Sequence, residues 1–180
     1  MRFPTRGRLL GIDHGLQRIG LAASDGSQMV ARELIVIQRK SKAEDFARIQ
    51  QVIQQEKIVG IVLGMPYNDS IDKGIHQQAD TVRIWAERLA AAVPLPILLW
   101  DEQYSSTDAQ DLARQKRRKP RDPIDDLAAR VVLQRYLDAL CDGLVEPSTL
   151  SILNPLQTIA NPDMASTETG SDNSNEEHNT

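Results

Sequence analysis

The 180-residue chain holds a single cysteine, Cys141. No internal disulfide can form, and a reducing compartment is the simpler setting. Cys141 stands at the end of a helical pattern with no base near it in sequence, so no chemistry is assigned to it. Long hydrophobic runs are also missing: the charged opening, Met1 to Arg8, is followed by too few apolar residues for a secretory segment or a membrane span. The expectation is a cytoplasmic protein with no membrane partner. Aromatic residues make up only 4% of the chain. Trp85 and Phe46 fall on the inner faces of helical patterns, which assigns them to the core rather than to a platform for stacked bases, and no base-reading module is visible. One histidine beside an acid, His14 after Asp13, has no partners at metal-ligand spacing and does not make a histidine or cysteine metal centre. No internal repeat is present.

Basic residues are absent from Pro147 to Thr180, whereas Asp163, Glu168, Asp172, Glu176 and Glu177 lie there. The formal charge of -4 therefore misdescribes the body: setting those five acids aside leaves 21 basic against 20 acidic residues in positions 1–146. Positive charge is instead concentrated in Arg114, Lys116, Arg117, Arg118, Lys119 and Arg121, six cations in eight residues. Such a run is either a solvated loop or a field that attracts a phosphate backbone. From Ser148 the composition turns to Ser, Thr, Asn and acids, which cannot bury enough apolar area to offset ordering entropy. We expect one domain over residues 1–146 and a disordered acidic tail over 147–180, with a short apolar patch, Leu150 to Leu156, able to pack locally.

What the chain does contain is an α/β pattern. Leu9–Asp13, Ile19–Ser24 and roughly Glu33–Gln38 read as three strands joined by short turns around Gly15 and Gly26, hence an antiparallel meander. Ser41 followed by Glu44 resembles a capping box opening a helix that ends near Glu56. Ile58–Leu63 and Leu95–Trp100 are nearly continuous apolar runs, as strands buried on both faces are. Between them Gln77–Ala92 is helical, with Val82, Trp85, Ala86 and Leu89 inward. A helix is expected after Ser105-Ser106, fading at the basic run, and a last one from Pro123 or Ile124 to Gly143. Helices between successive buried strands imply right-handed parallel crossovers, so the sheet should be mixed, three antiparallel strands then two parallel, flanked by helices.

Three acids end up where this layout brings chain segments together. Asp13 closes the first strand before the Gly15 turn, and a carboxylate there needs a positive partner, such as a divalent cation. Glu102 follows the last buried strand, whose tip points to the same edge as that of the first, the usual place for ligands. Asp125 occupies the first turn of the final helix, where the dipole favours an anion. Converging carboxylates suit magnesium, and two such ions about 3.5–4 Å apart can activate water against a phosphodiester. Each acid has a plainer reading: a turn residue, a solvated acid, a helix-capping acid. Asp101, Asp122 and Asp126 compete for the same places. Gly64-Met65-Pro66 either lines the same cleft or simply ends a strand, and Arg18 either touches phosphate or covers the hairpin.

The blocks Gly11-Ile12-Asp13-His14-Gly15 with Arg18-Ile19-Gly20, Gly64-Met65-Pro66, Asp101-Glu102, and Ile124-Asp125-Asp126-Leu127-Ala128-Ala129 with Leu133-Gln134-Arg135-Tyr136-Leu137 resemble the YqgF family. Its members are named as pre-16S rRNA nucleases or Holliday junction resolvases, and the likeness covers roughly residues 8–141. It implies an RNase H-like fold related to RuvC-type resolvases and a cytoplasmic role in maturing the 5′ end of 16S rRNA, hence in ribosome biogenesis. It also implies Mg2+ or Mn2+ held by Asp13, Glu102 and Asp125, with Asp125 chosen over Asp126 by the family's Ile-Asp-x-x-Ala-Ala pattern. Gln103 stands where the family usually has an arginine, removing a cation available to contact phosphate or orient Glu102. His14 and Leu16 are unusual fillings of the first turn.

The function expected is a metal-dependent nuclease acting on precursor rRNA, with Arg18 and the Arg114–Arg121 run binding nucleic acid. Alternatives are a resolvase of branched DNA or a non-catalytic RNA-binding assembly factor. The Asp-x-Gly hairpin also looks like the phosphate loop of actin-like ATPases, but these need a second similar half. Monomer and homodimer both remain open.

Overall fold

The computed structural model describes residues 2–66, 73–101 and 124–155, with the side chains of 73–78, 101 and 124–126 excepted. Three strands, β1 (Arg8–His14), β2 (Arg18–Ser24) and β3 (Ala31–Gln38), form the expected meander and lead into helix α1 (Lys42–Glu56). Strand β4 (Ile58–Met65), helix α2 (Lys73–Ala92), strand β5 (Ile97–Asp101), helix α3 (Ile124–Cys141) and a short strand β6 (Ile152–Leu153) follow. They make one sheet in the order β3-β2-β1-β4-β5-β6. The meander pairs antiparallel, β4 pairs parallel with β1 and β5 parallel with β4. The helix expected after Ser106 and the basic run lie outside the described residues.

Two differences have physical reasons. Helix α2 starts at Lys73, one turn before the expected Gln77; Gly74 is a poor helix former, yet its cost is smallest in a first turn that need not be held by side-chain periodicity. Strand β6 was not expected: Ile152 and Leu153 pair antiparallel with Leu98 and Ile97. Two residues are too few to show alternation, and the sheet's open β5 edge supplies the missing partner.

Strand alternation sorts the core into two layers. Leu10, Ile12, Ile61, Leu63, Ile97 and Leu99 face α1 and α2, meeting Ile49, Val52, Val82, Trp85, Ala86 and Leu89. On the other side Leu9, Val62, Leu98 and Trp100 meet Ala129, Val132, Leu133 and Tyr136 of α3. Buried on both faces, the central strands are apolar throughout, which is why their sequences show no amphipathic period. Close approach of α3 needs glycine: a Cβ on Gly11 would stand 2.6 Å from Leu133 Cβ and 3.0 Å from the Ala129 carbonyl oxygen. The N-terminal residues add a strap, with Phe3 buried against Tyr136 at a ring separation of 6.1 Å and Gln28 Nε2 donating to the Pro4 and Gly7 carbonyls.

Candidate active site

Asp13 sits two residues beyond Gly11 on β1, and alternation therefore puts it on the α3 side of the sheet. It is half-buried and pairs with Gly20 across the hairpin. The direction of α3 follows from its contacts. Ala129 and Leu133 lie against Gly11; Arg130 donates to Glu33, level with Ala22 and Gly11, whereas Gln134 accepts from the Ala31 N–H, level with Ser24, and Tyr136 lies against Phe3, which borders Gly60 beside Leu9. Helix α3 thus runs antiparallel to β1, with its start toward the strand's C-terminal tip. Residue 125 precedes Ala129 by about one turn, roughly 6 Å, and Asp13 lies roughly 6.6 Å beyond Gly11. The backbone therefore brings residues 125 and 126 to the level of Asp13, on the same face.

Strands β1, β4 and β5 are adjacent, parallel and end at this same edge, with Ile12 opposite Leu63, Gly64 opposite Trp100, and Met65 opposite Asp101. Glu102 follows directly, two positions after Trp100, which faces α3; Glu102 itself lies outside the described residues, as do Gln103, Asp122 and Arg114 to Arg121. Gly64 packs toward α3, where a Cβ would come within 3.1 Å of Val132, so it serves close helix approach. Met65 and Pro66 instead border a separate hollow of about 240 Å3 on the α2 side, with Asp80, Arg83, Leu99 and Ser151.

The Asp13 tip opens into a hollow of about 260 Å3 lined by Asp13, Gly15, Leu16, Gln17 and Arg18. Arg18 is exposed at the start of β2, and Leu16 is 78% exposed at the turn. Gly15 donates its N–H to the Arg18 carbonyl at 2.9 Å, and a Cβ there would stand 2.9 Å from that same oxygen. A hard cation with its waters fits an oxygen donor beside an open space of this size, since one water takes up about 30 Å3. Among the described residues no group of three or more His, Cys, Asp or Glu converges.

His14 does not join Asp13. The next residue on a strand points to the other face, and His14 is buried against Trp85, ring centroids 4.5 Å apart. Burial, with Arg39 adding to it, lowers its pKa to about 4. Sequence reasoning missed Arg39. This residue, at the β3–α1 junction, donates to the carbonyls of Gly15 (2.9 Å) and Leu16 (3.3 Å) and to the carboxylate of Asp45 (3.3 Å). Nothing local signals such bonds across 23 or 24 residues. No described helix is long and apolar enough to cross a membrane.

The family model described as "RuvX: Holliday junction resolvase" matches residues 7–139. A protein of Thermoanaerobacter pseudethanolicus is 38% identical over 136 residues, covering 73% of this chain and 96% of its own length; it is named "Putative pre-16S rRNA nuclease". One of Cereibacter sphaeroides with the same name is 37% identical over 140 residues, covering 76% of this chain and 86% of its own. Among solved structures, T. thermophilus RuvC in complex with a Holliday junction substrate aligns with a TM-score of 0.53 at 15% identity, covering 81% of this chain and 99% of the other. That similarity is one of fold.

Proposed function

The chain belongs to the RuvX (YqgF) family, a family of nucleases that hydrolyse phosphodiester bonds, and from that we propose a metal-dependent nuclease that processes the 5′ end of precursor 16S rRNA. The observation that carries the reading is geometric: Asp13 and the first turn of α3 share one face and one level at the edge where β1, β4 and β5 end. Asp13, Glu102 and Asp125 are the acids proposed to hold Mg2+ or Mn2+. When bound, such ions supply a nucleophilic water and offset charge on the leaving oxygen. Asp13 offers its carboxylate from a rigid strand tip, which keeps the donor in place without reorganisation. Arg18, across the hollow, would take a phosphate oxygen, and the Arg114–Arg121 run, immediately before the helix that carries Asp125, would track the backbone.

Two measurements test this. Purified protein is incubated with Mg2+ or Mn2+ and either a 5′-extended 16S precursor or a four-way DNA junction, beside Asp13→Asn. Cleavage of the precursor is expected, lowered at least about 100-fold in the variant; equal cleavage by the variant in chelator would end the assignment. Preferential cutting of the junction would favour the branched-DNA reading suggested by the family's description, and tight binding without cutting a non-catalytic assembly factor. Separately, replacing Lys116, Arg117, Arg118 and Lys119 by glutamine should flatten the salt dependence of RNA binding by about 0.7–0.9 in log–log slope for each phosphate no longer neutralised. An unchanged slope would assign the run to solvent.

A further inference from the structure

We propose that Arg39 is the positioning residue for Asp13, clamping the hairpin turn from the side of the sheet opposite α3. The clamp is built from a single residue. Its guanidinium Nη1 donates to the carbonyls of Gly15 at 2.9 Å and Leu16 at 3.3 Å, and its backbone N–H donates to the carbonyl of Gln17 at 3.0 Å. Three consecutive carbonyls of the turn that follows β1 thus end on Arg39. Turn carbonyls at a surface are ordinarily left to water.

Arg39 is held in turn. Its Nε donates to Asp45 Oδ2 at 3.3 Å, and the Lys40 N–H donates to Asp45 Oδ1 at 3.4 Å. Asp45 lies in the first turn of α1, is 2% exposed, and donates its own N–H to the Ser41 carbonyl at 2.9 Å. Burying a carboxylate against a guanidinium is seldom a net gain in stability, because desolvation consumes most of the attraction; its return is a fixed geometry. That geometry is delivered to the hairpin. With His14 packed on Trp85 behind the strand and the turn tied to Arg39 on that same side of the sheet, the backbone just after Asp13 is fixed, and with it the point from which the carboxylate is presented on the α3 side. Donors held this way by a supporting shell bind metal more tightly than mobile ones.

The inference rests on Asp13 being a metal-binding acid, and the test separates the two claims. In Arg39→Lys the ammonium can still meet Asp45 but cannot span the turn carbonyls. Hydrogen exchange at the Gly15 amide, whose bond to the Arg18 carbonyl closes the hairpin, should quicken about tenfold or more relative to core amides of β4. Mn2+ binding followed by electron paramagnetic resonance should weaken about 10–100-fold, and kcat should fall with KM for RNA unchanged. Arg39→Met combined with Asp45→Asn, which removes the buried carboxylate with its partner, should behave likewise if the lysine variant folds poorly. Wild-type protein that binds Mn2+ and cleaves, alongside variants that match it in Gly15 exchange and Mn2+ affinity, would overturn the positioning role alone. Wild-type protein that neither binds Mn2+ nor cleaves would overturn the functional reading, and the claim for Asp13 with it.

Discussion

His14 spends its life neutral inside the α2 layer. Its ring lies 4.5 Å from that of Trp85, which also meets Phe46 at 5.5 Å, and neither ring nitrogen has a hydrogen-bond partner among the described residues. Burial first, and then the nearby Arg39, bring its pKa down to about 4, from 6.5 in an unperturbed chain. Between those two values the unfolded state holds more protons than the folded one, so this residue lowers stability progressively as pH falls from 6.5 to 4 and has no such effect above 6.5. At about 1.4 kcal/mol per pKa unit the loss is of the order of 2 kcal/mol by pH 4.5. His14→Phe should remove that component. Urea unfolding at pH 7.5 and pH 4.5 is the measurement: the wild type should lose about 2 kcal/mol more than the variant, and equal losses would show that the histidine is not buried uncharged. The sequence pattern ends the strand at Asp13 and leaves His14 beside it in the turn; only the extension of β1 through His14 puts the two on opposite faces. Which face belonged to which helix was beyond that pattern, because the choice depends on residues such as Trp85 more than 70 positions away.

At the level of elements, both ends of α1 fall where the sequence places them, at Ser41 and near Glu56, but only the first shows its means of capping in the sequence. Ser41 extends into the expected cap, its Oγ accepting from the Glu44 N–H at 3.3 Å, as a serine three residues before a glutamate suggests. The other end turns at Lys57, whose φ of 53° and ψ of 49° are left-handed, and the chain enters β4 at the next residue. That conformation costs an L-residue roughly 1 kcal/mol and is usually given to glycine. A lysine there sends no signal of a helix stop. Lys57→Gly should raise the stability of the fold by about 0.5–1 kcal/mol in urea denaturation with no change in m-value; a loss of stability would mean that the lysine side chain makes contacts outweighing the strain. The same asymmetry governs the strands. Central β4 and β5 were legible as unbroken apolar runs, whereas β6, two residues long, exists because the β5 edge offers it partners.

For the whole molecule, the packed body extends beyond residue 146. Ile152 and Leu153 close the β5 edge, and the Leu99 N–H donates to the Ser151 carbonyl at 2.9 Å. A chain ending after Pro155 is expected to melt with the full-length protein, because the acidic, Ser/Thr/Asn-rich composition of residues 156–180 offers little apolar area to bury. A chain ending after Glu146 should melt about 3–6 °C lower, because about 1–2 kcal/mol of apolar burial at the edge is removed. Scanning calorimetry of the two truncations decides: equal melting temperatures would make β6 dispensable, and a drop on removing only residues 156–180 would give the tail a structural part. Motif blocks spread over residues 8–141 carried the family, and local patterning by itself determined the order of β1 to β5 with the described helices and the mixed sheet. These last depend on period, turn chemistry and charge within a few residues of each other. Tertiary structure alone decided that α3 runs antiparallel to β1 over Gly11, that Arg39 reaches back to the hairpin, and that β6 completes the sheet, since each depends on surfaces that meet only after the chain has folded.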